Sequence, residues 1–185
     1  KPICAFLLLC SSGLGKTHIA KQLAKFIFNS EDSFIRFDMS EYGEKFNVTK
    51  LIGSPPGYVG HEDRGVLTEA VKNKPYSFIL FDEIEKAHPE IFNIFLQILD
   101  DGILTDGTGR KVNFKNTIII MTSNIGTDKI MSKKSLGFST SVNEHEDISK
   151  IVGDELKKHL NPEFINRFDE KIVFNLLDKE SISKI

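Results

Sequence analysis

The feature that most constrains this chain is the octapeptide CSSGLGKT at residues 10–17, which lies between an apolar run and a helical pattern. The apolar run, Cys4 to Leu9, predicts a buried strand, and Thr17 to Phe28 has the apolar spacing of a helix. A glycine-containing loop that ends in Lys-Thr between a strand and a helix is the sequence form of a phosphate-binding loop. The octapeptide therefore predicts a nucleotide-binding α/β fold, although Cys10 stands where the motif usually begins with glycine.

The residue types in this loop suit a bound phosphate chain. Glycines let the backbone bend so that several N–H groups face the β-phosphate, and the helix that follows adds its positive N-terminal end. A lysine charge reaches the β- and γ-phosphates, and a threonine hydroxyl is a hard oxygen ligand for Mg²⁺. The open alternative is an ordinary strand-to-helix turn next to a lysine. The predicted cofactors are ATP or ADP with Mg²⁺, and the predicted nucleotide-binding residues are Ser11, Ser12, Gly13, Leu14, Gly15, Lys16, Thr17 and His18, with Thr17 also a metal ligand.

Composition excludes several classes of protein. At 185 residues, with 40% hydrophobic and 27% charged residues, the chain is expected to form one domain around one core. Its net charge of −2 gives no reason to expect nucleic acid as a partner. No stretch is apolar enough to span a bilayer and no leader is evident, so no membrane partner is expected. The two cysteines, Cys4 and Cys10, predict a reducing compartment rather than a disulfide framework.

Short apolar runs alternate with longer amphipathic stretches, which is typical of a parallel sheet covered by helices. The predicted strands are Cys4 to Leu9, Phe34 to Asp38, Ser77 to Asp82, Thr117 to Thr122 and Lys171 to Phe174. The predicted helices are Thr17 to Phe28, Gly65 to Lys72, Pro89 to Asp100 and Asp147 to His159. The polar stretch from Thr127 to Glu146 is expected to leave the sheet as a long excursion. The predicted fold is a P-loop α/β domain with about five parallel strands between helices.

Two carboxylates, Asp82 and Glu83, follow directly after the apolar residues of the third predicted strand. Open α/β sheets bind their ligands at the carboxyl ends of the strands. There, Asp82 is expected to hold Mg²⁺ through water, and Glu83 is expected to orient or deprotonate an attacking water. The alternative is that both residues begin a solvated loop.

Longer strings accompany these motifs: RFDMSEY at 36–42, GSPPGYVG at 53–60, DEIEKAHP at 82–89 and NPEFINR at 161–167. With them the chain resembles the AAA+ module of the Clp unfoldases, specifically the second ATPase ring of ClpC-type and ClpB-type proteins. The resemblance runs from Lys1 to Ile185. It implies an ATP-driven unfoldase that forms a homo-hexamer and moves unfolded polypeptide through an axial pore.

The resemblance also implies roles for two residues beyond the acidic pair. Asn124 falls where the family keeps a polar residue that positions the attacking water, and its amide can both donate to and accept from water. Arg167 falls at the arginine-finger position, which reaches the nucleotide of the neighbouring subunit. The alternatives are a turn residue for Asn124 and a surface ion pair with Asp169 for Arg167.

Two further segments match loops that contact other proteins in this family. Gly57, Tyr58, Val59 and Gly60 look like the pore loop, in which an aromatic side chain between glycines grips polypeptide. The segment Asp106 to Arg110 is a weaker candidate for a second channel-facing element, and its turn residues equally suit a surface hairpin.

The choice between a ClpC-type and a ClpB-type protein depends on residues 132–139. Leu136, Gly137 and Phe138 match the apolar-Gly-apolar tripeptide with which such unfoldases dock on a ClpP-type peptidase. The alternatives are that Leu136 and Phe138 pack on the domain's own core, or that the protein is a ClpB-like disaggregase. The resemblance suggests bacterial cytoplasm or an organelle stroma such as that of a plastid or apicoplast.

The chain departs from the family at Cys10-Ser11-Ser12, where Gly-Pro-Thr is usual, and at His18, where glutamate is usual. These departures leave open a catalytically idle ring subunit with a structural or docking role. The chain is expected to be the large nucleotide-binding subdomain of a C-terminal ATPase module, residues 1–185. The small helical lid is expected to be absent, or only begun near 178–185, and the isolated fragment is expected to turn over ATP weakly.

Overall fold

The computed structural model describes residues 1–9, 16–55, 64–127 and 144–173, of which 16, 31 and 144–150 are described by their backbone alone. The strands are β1 (Cys4–Leu9), β2 (Phe34–Asp38), β3 (Phe78–Asp82), β4 (Ile103–Thr105), β5 (Lys111–Asn113), β6 (Ile118–Ser123) and β7 (Glu170–Val173). The helices are α1 (Lys16–Phe28), α2 (Lys45–Ile52), α3 (Val66–Asn73), α4 (Pro89–Asp101), α5 (Glu144–His159) and α6 (Pro162–Ile165). None of the helices within these ranges is long and apolar enough to cross a membrane.

Five strands form one parallel sheet in the order β2-β3-β6-β1-β7. Two interior strands, β3 and β6, are buried at every position, which explains their apolar sequences. All five predicted strands are confirmed within one residue at each described end. Because the sheet is parallel, the carboxyl ends of all five strands lie at one edge, where the predicted acidic pair also lies.

Alternating side chains divide the sheet between two apolar layers. On one face, Leu8, Leu80 and Ile120 pack against Ala20 and Ala24 of α1. On the other face, the larger core joins the strands to α2, α3, α4 and α5. The fold is therefore the predicted α/β sandwich, and α1 covers the face from which the even-numbered residues of β3 project.

A chain of aromatic contacts ties the region after α5 to this core. The ring of Phe95 on α4 lies 4.8 Å from that of Phe81 on β3 and 6.0 Å from that of Phe164 on α6. Phe164 in turn contacts Phe168 edge to face at 5.1 Å. These rings fix the segment that carries Arg167 against α4 and the sheet.

Several elements were not predicted as helices or strands. The helix α2 buries only Val48 and Leu51, and its N-cap residue, Glu44, makes no side-chain capping bond. The strands β4 and β5 have three residues each and form an antiparallel hairpin. This hairpin corresponds to the surface-hairpin alternative for Asp106 to Arg110. By contrast, α4 was predicted to end at Asp100 and ends at Asp101, where the left-handed residue Gly102, φ 64°, donates its N–H to the Ile98 carbonyl.

Candidate functional site

Asp82, the last residue of β3, is 7% exposed and is held from both neighbouring strands. From β6, the Thr122 hydroxyl donates to its Oδ1. From β2, the Arg36 guanidinium donates to its Oδ2, at 2.7 Å from Nη2 and 3.3 Å from Nε. This hydrogen bond raises the pKa of Arg36 above its ordinary value. The carboxylate plane is therefore fixed, and Asp82 is not the start of a solvated loop.

Glu83, the other half of the acidic pair, has left-handed backbone angles, φ 56° and ψ 52°. Residues with a Cβ adopt this conformation at a cost in free energy, so it indicates a local constraint. One such constraint is the Glu83 N–H, which donates to Thr122 Oγ1 at 3.1 Å. The turn ends β3 abruptly and leads into a single 3₁₀ turn at Ile84–Lys86, whose first residue is fully buried.

Asn124 follows the last residue of β6, at the same edge of the sheet as Asp82. Its backbone N–H donates to Glu85 Oε1 at 3.4 Å, and its carbonyl accepts from the Thr127 hydroxyl at 2.7 Å. Glu85 therefore links the turn after β3 to the turn after β6. The structure thus brings Asp82, Glu83 and Asn124 to one edge, as the sequence predicts.

The phosphate loop itself, residues 10–15, lies outside the described residues, so the positions of Cys10, Ser11, Ser12, Gly13, Leu14 and Gly15 stay predictions. The helix α1 begins at Lys16 and carries no acidic residue in its first turn. Thr17 is half-buried in that turn, and His18 is exposed. Because α1 contacts β2 and β3, its positive N-terminal end belongs to the face of the sheet that carries Asp82.

Arg167 lies in the turn between α6 and β7. Its Nε is 2.8 Å from Asp100 Oδ1, and its Nη2 is 3.2 Å from Glu163 Oε1. Among the described residues, its ion-pair partners are therefore Asp100 and Glu163. Asp169 instead pairs with Lys1 and accepts the Ala5 N–H at 2.8 Å.

Arg167 lies at the edge formed by the amino ends of the strands, whereas Asp82 lies at the edge formed by their carboxyl ends. Asp169 donates through its backbone N–H to Ala5 at the beginning of β1, and β7 begins one residue later. The six residues of β1 alone span about 20 Å at ~3.3 Å per residue. The structure therefore separates this arginine from the acidic pair of its own chain.

The predicted pore loop, Gly57 to Gly60, lies outside the described residues, but both ends of its segment are described. Gly53 and Arg64 form an antiparallel bridge that closes the segment's base. From the β4–β5 hairpin, the Gly107 N–H donates to the Ile52 carbonyl at 2.9 Å. The hairpin tip is therefore bonded to the base of the segment that carries Tyr58. Leu136, Gly137 and Phe138 also lie outside the described residues.

Three residues of this site were missed as site residues in the sequence: Arg36, Thr122 and Glu85. Two of them lie inside strings already singled out, RFDMSEY and DEIEKAHP, and Thr122 stands two residues before Asn124. Alternation along a strand offered one signal, because Arg36 and Thr122 project from the same face as Asp82. Sequence gives no direct sign of bonds that join residues 40 and 46 positions apart.

The described residues fit a magnesium nucleotide. Thr17 lies in the first turn of α1, where the N–H groups have no partner within the helix. Asp82 lies at the end of β3, on the face of the sheet that α1 covers. Both side chains offer hard oxygen ligands, which suit Mg²⁺. Because each oxygen of Asp82 already accepts a hydrogen bond, the carboxylate suits a metal-bound water better than direct coordination. A parallel sheet with this acidic edge, next to a Gly-Lys-Thr helix start, defines a P-loop ATPase domain.

Comparison with known proteins identifies the branch. Residues 1–171 match the family model described as AAA domain (Cdc48 subfamily). The chain is 55% identical over 185 residues to "Chaperone protein ClpB2, chloroplastic" of Oryza sativa, covering all of this chain and 19% of that protein. It is 52% identical over 187 residues to the "ATP-dependent Clp protease ATP-binding subunit ClpC" of Staphylococcus saprophyticus, covering 100% of this chain and 23% of that protein.

The solved structures agree with this assignment. A cryo-electron microscopy structure of Hsp104 with ATPγS and FITC casein superposes with a TM-score of 0.86 at 43% identity, covering 100% of this chain and 31% of that one. The Saccharomyces cerevisiae Hsp104–ADP complex gives 0.83 at 44% identity, with the same coverage of 100% and 31%. The chain therefore belongs to the Clp/Hsp100 proteins of the AAA+ family, as an ATPase domain of the type that forms their second module. It spans less than a third of the length of these relatives.

Proposed function

We propose that the full-length protein is an ATP-driven unfoldase subunit that assembles as a homo-hexamer and draws unfolded polypeptide through an axial pore. The observation that carries this proposal is the ordered acidic edge of β3, where one hydroxyl, that of Thr122, binds both Asp82 and the Glu83 backbone. A subunit without turnover has no need of this arrangement, which leaves Glu83 in a costly backbone conformation. The ordered acidic edge therefore favours the motor over the idle ring subunit.

In this proposal the chain's residues divide the work of ATP hydrolysis. The first turn of α1 and Lys16 bind the phosphates, and Thr17 with Asp82 would hold Mg²⁺, which neutralises phosphate charge when bound. Glu83 orients the attacking water and takes its proton, and Asn124 positions the same water. Arg167 acts on the nucleotide of the adjacent subunit, because its own acidic pair lies across the sheet.

ATP turnover by the full-length protein tests directly whether it is an ATP-driven motor or an idle ring subunit. With Glu83→Gln we expect turnover to fall by at least 100-fold while nucleotide binding is kept, because the substituted amide accepts no proton. Equal rates for the two proteins would favour the idle subunit instead. Titration of ATP and ADP against wild type and Cys10→Gly then measures the effect of Cys10 on nucleotide affinity. A much higher affinity in the glycine form would mean that the cysteine weakens phosphate binding by the loop.

We propose further that Tyr58 contacts the polypeptide. Supporting this, Gly57 to Gly60 lie within a segment whose base is closed by the Gly53–Arg64 bridge and bonded to the β4–β5 hairpin. A fixed base lets an aromatic side chain transmit force to a substrate. Tyr58→Ala should abolish unfolding of a tagged fluorescent protein while ATP turnover persists, and Tyr58→Phe should keep both activities.

The proposed receiving partner is a ClpP-type peptidase, reached through Leu136, Gly137 and Phe138. The second candidate is a ClpB-like disaggregase, favoured by the 55% identity to the rice ClpB2 chaperone. Deleting Leu136 to Phe138 should abolish ClpP association without changing ATP turnover. Unchanged association would assign the tripeptide a structural role, and no association in the wild type would favour the disaggregase.

We propose that residues 1–185 form the large nucleotide-binding subdomain of a C-terminal ATPase module. Part of each catalytic site then belongs to another chain, so weak turnover is expected of the isolated domain. The proposed location is a reducing compartment, in bacterial cytoplasm or an organelle stroma. The names of the relatives support both locations, since one is a bacterial ClpC and another is chloroplastic.

A further inference from the structure

The Thr122 side chain makes hydrogen bonds to two consecutive residues of the acidic edge. It is fully buried in β6. Its Oγ1 donates to Asp82 Oδ1 and accepts the Glu83 N–H at 3.1 Å. A hydroxyl has one proton to donate, and here that proton is committed to Asp82. Thr122 is therefore bonded both to the predicted metal carboxylate, Asp82, and to the residue that bears the predicted base, Glu83.

The bond to Glu83 acts where the chain changes direction. Glu83 has φ 56° and ψ 52°, which are not strand angles, so its side chain does not take the direction that alternation along a strand would give it. A backbone conformation of this kind persists only when its surroundings hold it. The hydrogen bond that the Thr122 hydroxyl accepts from the Glu83 N–H is one such constraint. The direction of the Glu83 carboxylate thus depends on a side chain of the neighbouring strand.

The bond to Asp82 acts together with a second one from the opposite side. Arg36 of β2 binds Oδ2, and Thr122 of β6 binds Oδ1, so both strands that flank β3 contribute a donor. Removal of either donor takes away one of these two contacts and gives the carboxylate more freedom to rotate about its own side-chain bonds. Both donors share the face of the sheet that α1 covers, which is the nucleotide side.

We infer that Thr122 is a positioning residue for ATP hydrolysis, which sets the direction of Glu83 and of Asp82 through one hydroxyl. The inference rests on the proposed function, because it assigns Thr122 to the same reaction. The hydroxyl is fully buried, and in this role it acts through the two residues that it binds. Loss of the hydroxyl should therefore lower kcat more than it changes KM for ATP or the contribution of Mg²⁺ to nucleotide affinity.

The chain offers a matched control in Thr117, the residue before β6. Thr117 is also fully buried, and its hydroxyl donates to the Phe114 carbonyl at 2.8 Å, at the edge of the sheet away from Asp82. Thr117→Val and Thr122→Val make the same chemical change at equal burial. A role confined to folding would affect both variants alike, whereas positioning would separate them.

The experiment compares full-length wild type, Thr122→Val, Thr122→Ser and Thr117→Val. ATP turnover gives kcat and KM, and titration with fluorescent ADP, with and without Mg²⁺, gives the metal-dependent gain in affinity. We expect Thr122→Val to lose at least tenfold in kcat, while KM and the Mg²⁺-dependent gain in affinity each change by about threefold at most. Thr122→Ser, which keeps the hydroxyl, should stay within about threefold of wild type in both measurements, and so should Thr117→Val.

Each result decides the inference. Equal losses in Thr122→Val and Thr117→Val would overturn it, and so would a Thr122→Ser protein as impaired as Thr122→Val. Thermal unfolding identifies any variant that fails to fold; if Thr122→Val does, Thr122→Ala is measured in its place against Thr117→Ala. Glu83→Gln separates the two hypotheses. Wild-type turnover in Glu83→Gln would refute the proposed function, whereas arrest in Glu83→Gln with normal rates in Thr122→Val would refute only the positioning role.

Discussion

Arg167 and Asp82 lie at opposite edges of the central sheet, although both are predicted to act on a bound nucleotide. Asp82 ends β3, whereas Arg167 precedes β7 and is held by Asp100 and Glu163. Parallel strands put all their carboxyl ends at one edge, so no small rotation of a side chain joins the two residues. A shared reaction therefore requires a second subunit.

The first prediction is that defects in the two residues complement each other. Full-length Arg167→Ala should lose about a thousandfold or more in ATP turnover, as is typical when an arginine finger is removed, and Glu83→Gln should lose at least about 100-fold. Co-assembled at equal amounts, the two variants should regain activity at about one site in four, because subunits pair at random around the ring. Each active site would then combine Glu83 of one subunit with Arg167 of the next.

The control for this mixture is each variant mixed with itself and taken through the same dissociation and reassembly. Arg167→Lys serves as the matched variant, since it keeps the charge but loses the planar fork. No recovery in the mixed rings would mean that Arg167 acts within its own chain or outside the reaction.

How much of the fold and of the site the sequence predicts depends on how far apart in the chain the interacting residues lie. Apolar runs such as Phe78 to Phe81 predict buried strands from local residues alone, and Pro89 with Gly102 marks the ends of α4. The placement of Asp82, Glu83 and Asn124 at one edge then follows from parallel topology. Local pattern therefore predicted the sheet and the acidic edge of the site.

The bonds of Thr122 and Arg36 were beyond prediction because they depend on which strands are neighbours. The strand order puts β6 and β2 on either side of β3, and only this order brings both donors to Asp82. The helix α2 was missed for a different reason. It has two buried residues and no side-chain cap, so its sequence carries little amphipathic signal.

The second prediction concerns two glycines in the tip of the β4–β5 hairpin. A Cβ on Gly107 would collide with the Gly53 carbonyl, whereas a Cβ on Gly109 would meet nothing within 4 Å, although Gly109 has φ +83°. Gly107→Ala should therefore lower the free energy of unfolding by about 3 kcal/mol through overpacking. Gly109→Ala should lower it by about 1 kcal/mol through backbone strain.

Denaturant unfolding of the two variants under identical conditions measures this difference. Gly107 also bonds to Ile52, next to the base of the predicted pore segment, so Gly107→Ala should slow substrate unfolding more than Gly109→Ala does. Equal stability losses in the two proteins would show that the hairpin tip does not pack on Gly53.

The third prediction is a pH dependence that arises at Asp106. Its Oδ1 accepts from the Thr108 hydroxyl at 2.7 Å and from the backbone N–H groups of Thr108 and Arg110 at 2.9 and 2.8 Å. Partial burial raises the pKa of this carboxyl, but these hydrogen bonds and the Arg110 charge outweigh it, and the net pKa is lowered. A lowered folded pKa contributes stability above the unfolded value, about 4, and that stability is lost as the pH falls through the folded value.

Asp106→Asn should therefore flatten the decrease in unfolding free energy between about pH 5 and pH 2, because the titrating group is gone. Asp154→Asn, an exposed change of the same charge on α5, is the control. Should both variants keep the wild-type slope, the hairpin carboxylate makes no measurable contribution to acid unfolding.

The fourth prediction separates charge from geometry at Arg36. This side chain is bonded to Asp82 through two nitrogens and also lies 3.3 Å from Asp38, so its fork bridges the ends of β2 and β3. Arg36→Lys keeps the positive charge but offers a single nitrogen, whereas Arg36→Met keeps the length without charge. We expect both variants to lower ATP turnover, Arg36→Met by about tenfold or more and Arg36→Lys by less, because Asp82 loses one or both of its fixed contacts from β2.

Nucleotide titration with and without Mg²⁺ provides the second measurement, in which Arg36→Met should lose more of the metal-dependent affinity than Arg36→Lys. If Arg36→Met instead binds magnesium nucleotide and turns it over like wild type, the ion pair contributes to folding alone, and Thr122 is the donor that orients the carboxylate.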